Sequence, residues 1–455
     1  MNITSNELEA NLRNLSGRII NMDADTIDRD VQSHQTNVYR ATKDDKTLLR
    51  VINGLFSGKL VAVIPESASK DYEEAISMQI EKYQRAQIYQ DDRFSNGMLA
   101  LPTSGTTGRP KLVLLPLERI YRFLQWGQAQ FDFSAATTSL SISPWNFDVS
   151  LLDTWAVLAA GGKVYAVQSG KIHDAEYLKN ALLAAQPKFL QLVPSTVKAL
   201  LASLKREKPI SCVRDIVLTG GSVSQQDRHD LSHAFPYATF HNVYGSTEVN
   251  DCLIASFSAS QLAANVQLDL GYPLPGVAAY IQNDDGLHKL EDKNLRGELI
   301  VSTPWMATGY IKDGFLEPLP RVLERGPKSL YPTKDEVEYD GRNLTFLGRR
   351  DRTVKIRGQR VGLDEVESVA SGIDFVAMAH AWVEEINGEQ QLSLAYVTRP
   401  EIEVKNKNLG LRIGMSKKLP AYAIPSKIYP FEGSFPLNGN GKPDGQKIRE
   451  SIRGG

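Results

Sequence analysis

Short apolar runs alternate with segments of helical periodicity through the middle of the chain. Runs of apolar and β-branched residues bounded by Gly, Pro or Asn predict strands, and apolar residues three and four positions apart predict helices. The predicted strands are 188–194, 215–221, 238–245 and 278–283, and the predicted helices are 174–186 and 194–207. This alternation predicts an α/β fold, in which ligands usually bind at the ends of strands.

The pattern changes near Gly348, where Lys and Arg become dense. The part of the chain that follows is long enough for a small domain of its own. We predict a large N-terminal core of β-sheets packed with helices over residues 1–350. A small α+β C-terminal lid domain is predicted over residues 351–455, with the boundary at Asp351.

Composition narrows the classes of function. The 455 residues exceed what one hydrophobic core usually supports, and the formal net charge of −1 argues against a nucleic-acid binder. Cys212 and Cys252 are too few for a disulfide framework or a four-thiolate zinc site. The N-terminus does not resemble a signal peptide, and no apolar run reaches membrane-spanning length. We therefore expect a cytoplasmic setting without nucleic-acid or membrane partners.

A glycine- and hydroxyl-rich stretch, TSGTTGRPK, occupies residues 103–111. It could be a surface loop, a phosphate cradle or the site of a nucleophilic Ser or Thr. Gly105 and Gly108 allow the backbone to wrap an anion, and Lys111 adds positive charge. The spacing differs from the P-loop pattern, and G-x-S-x-G is absent. These features favour the phosphate cradle.

This stretch resembles the phosphate loop of the adenylate-forming superfamily, which includes acyl-CoA synthetases, luciferases and the adenylation domains of nonribosomal peptide synthetases. Four further segments resemble the family's Tyr-Gly-x-Thr-Glu loop, its Gly-Glu-Leu strand, its ribose-binding and hinge region and its Asn-Gly-Lys loop. They follow in the family's order, at residues 242–248, 296–310, 331–361 and 435–444. Within the superfamily, the chain resembles a free-standing amino-acid adenylation enzyme.

The resemblance implies that a carboxylate reacts with ATP to give an acyl-adenylate and pyrophosphate, and that a thiol then takes the acyl group. Such catalysis rests on positioning and electrostatics and needs no protein nucleophile. Lys442 would reach the substrate carboxylate and the α-phosphate, Thr247 would contact the α-phosphate, and Glu248 would bind Mg²⁺. A solvated Lys442 in an ordinary Asn-Gly turn and a surface Glu248 are the alternatives.

The resemblance also implies an ATP site. Asp335 would accept hydrogen bonds from both ribose hydroxyls, or else be structural; Tyr244 would stack on adenine, and Arg349 would reach the ribose. Lys334 stands where the family usually has Gly. The full set of implied ATP-binding residues is Thr103, Ser104, Gly105, Thr106, Thr107, Gly108, Lys111, Gly220, Gly221, Ser222, Asn242, Tyr244, Gly245, Ser246, Asp335, Phe346 and Arg349.

In this family the small domain rotates about a hinge after the adenylate forms, which withdraws the catalytic Lys and completes a thiol tunnel. Asp351 corresponds to the hinge. Gly358 corresponds to the tunnel, where a Cβ atom would narrow the passage. Gly362 departs from the pattern, because the family often has Glu there.

The segment from Phe147 to Ser150 matches an element that, in amino-acid-activating members, places a carboxylate against the substrate's α-ammonium group. A buried Asp148 facing an apolar acid would stay unpaired at considerable cost. Asp148 therefore favours an amino acid, and a helix N-cap is the alternative. The implied substrate-binding residues are Asp148, Val149, Leu152, Gln191, Leu218, Gly220, Val243, Asp251 and Cys252. Asp251 and Gln191 could meet a polar or cationic side chain, or Asp251 could be solvated at the pocket rim.

We thus expect an ATP- and Mg²⁺-dependent ligase of nonribosomal peptide synthesis and secondary metabolism. It would activate an amino acid as aminoacyl-AMP and pass it to the phosphopantetheine thiol of a separate carrier protein, because no carrier-attachment pattern follows the ligase motifs. The segment before the phosphate loop is short for the family, which predicts a trimmed first subdomain. Residues 401–455 contain ten Lys and Arg against five Asp and Glu, which suits an acidic carrier or a merely solvated surface. The alternatives are an acyl- or aryl-acid CoA ligase and an inactive binding protein of the same fold.

Overall fold

The computed structural model describes residues 4–15, 17–21, 37–87, 97–103, 111–204, 207–264, 268–290, 294–322, 329–356, 359–386, 389–399, 402–419, 423–437 and 443–454. The α-helices of this part of the chain are α1 (Ser5–Arg13), α2 (Asp45–Phe56), α3 (Lys70–Gln87), α4 (Leu117–Phe131), α5 (Val157–Ala159), α6 (Ala175–Ala185), α7 (Pro194–Leu204), α8 (Gln225–Ala234), α9 (Ala259–Ala264), α10 (Leu363–Ser371), α11 (Lys407–Ser416) and α12 (Gly445–Gly454). A π-helix over Leu151–Ala156 precedes α5.

The strands of the same residues are β1 (Ile19–Asn21), β2 (Val38–Arg40), β3 (Leu60–Ile64), β4 (Met98–Thr103), β5 (Lys111–Pro116), β6 (Thr138–Ser141), β7 (Lys163–Ala166), β8 (Phe189–Leu192), β9 (Asp215–Leu218), β10 (Thr239–Ser246), β11 (Asn250–Ser258), β12 (Tyr272–Pro273), β13 (Ala278–Asn283), β14 (Gly286–Lys289), β15 (Leu295–Ser302), β16 (Gly309–Lys312), β17 (Phe315–Pro318), β18 (Tyr331–Tyr339), β19 (Leu344–Arg349), β20 (Thr353–Ile356), β21 (Gln359–Gly362), β22 (Val376–Ile386), β23 (Glu389–Thr398) and β24 (Lys427–Pro430).

The chain divides into two compact units. The first comprises Met1–Ala278 and Val301–Tyr331, and the second comprises Ala279–Ile300 and Pro332–Gly455. These limits do not test a hinge. The division at residues 350 and 351, with its hinge at Asp351, therefore stays a prediction.

The first unit contains two sheets. The larger has the strand order β1-β7-β6-β8-β9-β10-β11-β12, which is parallel from β1 to β10 and antiparallel from β10 to β12. On one face of this sheet, Leu190, Leu218 and Phe240 pack against Leu200 and Leu231 of helices α7 and α8. The parallel strands read as continuous apolar runs because both of their faces are covered. The smaller sheet has the order β17-β16-β5-β4-β3-β2.

The second unit combines a five-stranded sheet, β14-β13-β15-β18-β19, with the hairpin β20-β21 and a three-stranded sheet, β22-β23-β24. Helices α10 and α11 pack on the three-stranded sheet through a buried cluster that includes Val366, Leu394, Tyr396 and Leu411. The pairs β13-β14, β18-β19, β20-β21 and β22-β23 are antiparallel, whereas β23-β24 is parallel. Mainly antiparallel strands with segregated helices are the features of an α+β arrangement.

The elements predicted from periodicity are present. The four predicted strands correspond to β8, β9, β10 and β13, and the two predicted helices correspond to α6 and α7. The helix predicted after Asp148 begins as a π-helix whose N-cap is Ser150, so the alternative of an Asp148 cap is wrong. Among the helices described, none has both the length and the apolar character needed to cross a membrane.

Candidate functional site

The predicted phosphate loop connects two antiparallel strands. β4 ends at Thr103, β5 begins at Lys111, and the two residues are paired in register. The intervening residues Ser104, Gly105, Thr106, Thr107 and Gly108 lie outside the described residues, as does the side chain of Thr103. Their contact with phosphates stays a prediction.

Lys111 meets Glu248 on the first unit. The Lys111 ammonium lies 3.6 Å from Glu248 Oε1 and 3.8 Å from the centroid of the Tyr310 ring. The Tyr310 hydroxyl donates a hydrogen bond to the same Glu248 oxygen at 3.0 Å. Burial, followed by the Glu248 charge, raises the pKa of Tyr310, which keeps its hydroxyl protonated as a donor. Tyr310 is the last residue of the segment 296–310 that resembles the Gly-Glu-Leu strand, and the sequence motifs assign it no role.

The hairpin between β10 and β11 positions Thr247 and Glu248. Its turn is closed by the Val249 amide, which donates to the Ser246 carbonyl at 3.0 Å. Asn250 has φ +55°, a left-handed conformation that Asn tolerates better than most residues. An ideal Cβ on Gly245 would lie 2.3 Å from the Asn250 carbonyl oxygen, so only Gly fits. The Gly-x-Thr-Glu pattern thus has a local steric reason.

Asp148 and Thr247 are hydrogen-bonded across 99 residues of sequence. The Thr247 hydroxyl donates to Asp148 Oδ1 at 3.1 Å, and the Asp148 residue is half-buried. Burial raises the pKa of the Asp148 carboxyl to about 6, and the Thr247 hydrogen bond opposes that rise. Asp148 therefore sits at the β10–β11 turn and is partly withdrawn from water.

Asp251 is the second carboxyl at this turn. It is 8% exposed at the start of β11, and its backbone carbonyl accepts a hydrogen bond from Trp305 Nε1 at 2.8 Å. Burial, followed by repulsion from Asp148, raises the pKa of Asp251 to about 8. The sequence left open whether Asp251 is solvated; within the described residues it is buried.

The other predicted substrate residues differ in their surroundings. Gln191, Leu152, Val243 and Cys252 are buried, Val149 is half-buried, and the Cys252 thiol donates to the Tyr244 carbonyl at 3.4 Å. Leu218 packs in the apolar cluster with α7 and α8, and its predicted place in a substrate pocket gains no support from that packing.

Lys43 forms hydrogen bonds to the backbone just before the segment that carries Asp148. The sequence motifs do not identify Lys43 as a site residue. Its buried ammonium donates to the carbonyls of Ser141 and Ile142, both at 2.9 Å. Burial lowers the pKa of Lys43 to about 7, and the buried Asp153 carboxylate of the π-helix opposes this shift. No motif marks an isolated buried Lys, so only the tertiary structure reveals it.

The predicted adenine side lies on the same unit. Gly220 has φ +76° after β9, and Gly220, Gly221 and Ser222 are exposed. The Asn242 side chain is held in place by a hydrogen bond, which its amide donates to the Asp269 carbonyl at 2.8 Å. Ser246 has a buried hydroxyl without a hydrogen-bond partner in the described part of the chain. An unmatched buried hydroxyl beside Thr247 and Glu248 fits the binding of a polar ligand.

The predicted ribose residues lie on the second unit. Asp335 is 7% exposed, and its Oδ1 lies 3.4 Å from Arg349 Nη1. The preceding Lys334 has φ +64°, the conformation that favours the Gly usual in the family. Its backbone amide donates to Glu298 Oε1 at 2.9 Å, and Arg350 pairs with the other Glu298 oxygen at 2.9 Å. Lys334 thus keeps the turn that Gly would make, with some strain. Phe346 is half-buried on β19 and pairs with Val337.

Three assignments fall on undescribed parts of the chain. Lys442 and Gly358 lie outside the described residues, and so does the side chain of Asp351, whose backbone forms a 3₁₀ turn with Arg350 and Arg352. A bridge between Leu437 and Pro443 closes the base of the Lys442 loop. The roles of Lys442, Gly358 and Asp351 stay predictions.

Comparison with known proteins identifies the family. The model of the AMP-binding enzymes matches residues 32–311. Tyrocidine synthase 3 of Brevibacillus parabrevis is 30% identical over 75% of this chain and 5% of its own length. The L-proline–[L-prolyl-carrier protein] ligase of Streptomyces coelicolor is 29% identical over 76% of this chain and 65% of its own length. The D-alanine–D-alanyl carrier protein ligase of Bacillus licheniformis is 25% identical over 77% of this chain and 70% of its own length.

Solved structures share the fold. A four-domain nonribosomal peptide synthetase bound to AMP and glycine superimposes with a TM-score of 0.71 over 97% of this chain and 34% of that chain, at 21% identity. Klebsiella oxytoca NpsA, in complex with 3-hydroxyanthranilyl-AMSN, gives 0.73 over 98% of this chain and 92% of that chain, at 20% identity. These matches confirm the α/β fold class, with its large sheet-rich N-terminal part. The chain belongs to the AMP-binding enzymes, the adenylate-forming ligases, as the sequence motifs predicted.

Proposed function

We propose that this protein activates an amino acid with ATP and transfers it to the phosphopantetheine thiol of a separate carrier protein. The observation that carries the proposal is the Asp148 carboxylate, which is half-buried and hydrogen-bonded to Thr247 beside Glu248. A carboxylate in this position suits an α-ammonium group, because a desolvated negative charge needs a cation. Two relatives are named as carrier-protein ligases, one for proline and one for D-alanine, and these names also support an amino-acid substrate and a carrier-protein acceptor.

In the first step, a substrate carboxylate oxygen would attack the α-phosphorus of ATP, and pyrophosphate would leave. Lys111 and the hydroxyl- and glycine-rich loop before it would bind the phosphates, and Lys442 would stabilise the charge that develops between carboxylate and α-phosphate. Asp335 would hold the ribose hydroxyls, and Tyr244 would stack on the base. In the second step, the thiol sulfur would attack the acyl carbon, AMP would leave, and the thiol would lose its proton.

A magnesium ion would neutralise phosphate charge in this reaction, and Glu248 would be its protein ligand. No cluster of three or more His, Cys, Asp or Glu suited to a metal occurs in the described residues. The single carboxylate of Glu248 fits Mg²⁺ on a nucleotide, which typically uses one or two carboxylates together with phosphate oxygens. Glu248 Oε1 is shared with Lys111 and Tyr310, which hold the carboxylate in place.

A basic surface on the second unit supports an acidic protein partner. Helix α11 exposes Leu409 and Ile413, one turn apart, at 53% and 50%. Lys417 and Lys418 are exposed just after it, and the sequence from Val404 to Phe431 contains no Asp or Glu. Complementary charge of this kind steers the encounter between proteins.

The test is ATP–pyrophosphate exchange with the whole chain, comparing each amino acid with its deaminated analogue. We expect exchange with amino acids only, and a fall of at least about 100-fold in kcat/KM for Asp148→Asn, because one partner of a charge pair is removed. Asp132→Asn, at a fully solvated side chain, is the matched control and should behave as wild type. Equal exchange with the deaminated acids would favour an acyl- or aryl-acid ligase, and no exchange with any acid would favour an inactive binding protein.

A further inference from the structure

Four polar residues lie toward one edge of the large sheet. β11 runs antiparallel to β10, so it begins at the edge of the sheet where the parallel strands β8, β9 and β10 end. Gln191 is the penultimate residue of β8, and Asp251 is the second residue of β11. Asp148 joins them through its hydrogen bond to Thr247 in the turn between β10 and β11. This edge is where α/β folds usually hold ligands.

The Asp251 carboxyl group has no cationic partner in the described part of the chain. Its backbone is held firmly, because Trp305 donates to its carbonyl and its amide donates to Asn250 Oδ1 at 3.1 Å. No hydrogen bond or ion pair from any described residue reaches its side chain, although the residue is only 8% exposed. A buried carboxyl group without partners is unfavourable, which makes Asp251 a candidate for contact with a ligand.

Gln191 is a second, independent sign of a ligand. It is 1% exposed, and neither its amide oxygen nor its amide nitrogen has a hydrogen-bond partner within the described residues. Strand register pairs Gln191 with Val217 and Val217 with His241, so alternation along β10 puts Gln191 and Val243 on the same face of the sheet. That face is opposite the apolar cluster of Leu190 and Leu218. An amide with both groups unmatched fits a polar ligand on this face.

Among the described residues, the cations Lys43 and Lys111 both have other partners. Lys43 donates to the carbonyls of Ser141 and Ile142, and its ammonium interacts with Asp153. Lys111 lies against Glu248 and the Tyr310 ring. The Asp148 carboxylate, which raises the pKa of Asp251, thus adds negative charge that none of these groups balances.

We propose that the substrate is an amino acid with a second amino group on its side chain, whose α-ammonium pairs with Asp148 and whose side-chain ammonium pairs with Asp251 and Gln191. This inference rests on the proposed function and deepens it. A neutral side chain would leave the Asp251 carboxyl and the Gln191 amide unmatched. A diamino acid supplies one cation for each carboxyl group, and the Gln191 amide oxygen would accept a further hydrogen bond from the side-chain ammonium.

The experiment compares two matched series by ATP–pyrophosphate exchange with the whole chain. The diamino acids are 2,3-diaminopropionate, 2,4-diaminobutyrate, ornithine and lysine, and the neutral isosteres are 2-aminobutyrate, norvaline, norleucine and 2-aminoheptanoate. Serine and homoserine supply a hydroxyl in place of the amine. We expect at least one diamino acid to exceed its isostere and both hydroxyl compounds by about 100-fold or more in kcat/KM, since a buried polar site rejects analogues that leave it unpaired.

Variants separate the two carboxyl groups. Asp251→Asn should reduce the preference for the diamino acid over its isostere to within about threefold, whereas Asp148→Asn should lower exchange with every amino acid. Circular dichroism would be used to check that both variants are folded. If Asp251→Asn does not fold, Asp251→Ser would take its place.

Two results would overturn the inference and leave the proposed function standing. One is a neutral or hydroxylated amino acid used as well as any diamino acid. The other is an Asp251 variant that loses exchange with all amino acids equally, which would mean that both carboxylates bind the α-ammonium. Absence of exchange with every amino acid would instead overturn the proposed function and this inference with it.

Discussion

Asp251 makes the stability of the protein depend on pH when no substrate is added. Burial and the Asp148 charge raise its pKa to about 8 in the folded chain, whereas an Asp in an unfolded chain titrates near 3.9. Between these values the folded state holds a proton that the unfolded state has lost, so the free energy of unfolding falls as pH rises from about 4 to about 8. The contribution is present at low pH and is lost as pH approaches 8.

We predict that Asp251→Asn raises the free energy of unfolding relative to wild type, and by more at pH 8 than at pH 5. The expected gain at pH 8 is on the order of 1 kcal/mol or more, because one unit of pKa shift corresponds to about 1.4 kcal/mol. Denaturant unfolding at the two pH values measures it. Asp284→Asn, at an exposed turn, is the control, and it should change the free energy of unfolding by the same amount at pH 5 and at pH 8. A difference between Asp251→Asn and wild type that is independent of pH would contradict the prediction.

Lys334 offers a second prediction for a single residue. Its φ of +64° strains a side chain that carries a Cβ atom, by about 1–2 kcal/mol, while Gly loses more backbone entropy on folding. We expect Lys334→Gly to raise the free energy of unfolding by up to about 1 kcal/mol in denaturant titrations. Lys289→Gly is the matched control, because Lys289 is also an exposed strand residue but lacks a positive φ, and it should destabilise the protein. Equal losses for both variants would show that the strain is unimportant.

At the scale of elements, the β10–β11 hairpin carries Thr247 and Glu248, and its geometry depends on Gly245. A Cβ atom there would lie 2.3 Å from the Asn250 carbonyl oxygen, and backbone on both sides would have to shift. We predict that Gly245→Ala lowers kcat for adenylate formation by more than about 10-fold, because small misplacements of positioning groups are costly.

The matched control for Gly245→Ala is Gly170→Ala. An ideal Cβ on Gly170 meets nothing within 4 Å, and its φ is not positive. Pyrophosphate exchange and thermal unfolding of both variants test the prediction. Wild-type activity of Gly245→Ala would show that the hairpin adapts and that Glu248 does not need its present position.

At the scale of the whole molecule, the surface of the second unit around α11 carries a prediction about the carrier protein. If α11 and the lysines after it receive an acidic carrier, reversing their charge should weaken that encounter without affecting adenylation. We predict that Lys417→Glu with Lys418→Glu raises KM for an acidic phosphopantetheinylated carrier protein about 10-fold and leaves pyrophosphate exchange unchanged. Lys163→Glu with Lys208→Glu, at exposed positions on the first unit, is the control. Equal effects of the two pairs on KM would contradict a specific surface.

The sequence by itself determined the family, the α/β class and the main elements. The sequence predicted the order of the motifs and the positions of six elements, namely β8, β9, β10, β13, α6 and α7. These were predictable because hydrophobic periodicity and glycine-rich turns follow directly from the local backbone conformation. The Gly245 turn is one example, since a Cβ atom there would clash with the Asn250 backbone and the motif has Gly at this position. Asp148 was identified because residues 147–150 resemble the element that, in amino-acid-activating members of the family, binds the substrate's α-ammonium group.

Only the tertiary structure decided which side chains meet. Lys43 lies 98 residues before Ser141, and Tyr310 lies 62 residues after Glu248, so no local pattern could connect them. Asp251 and Leu218 were both candidates for a substrate pocket, but packing buries Asp251 near Asp148 and places Leu218 in an apolar cluster. Burial and electrostatic environment arise from chain segments distant in sequence. They determine whether a carboxyl group is solvated or is buried and able to bind a cation.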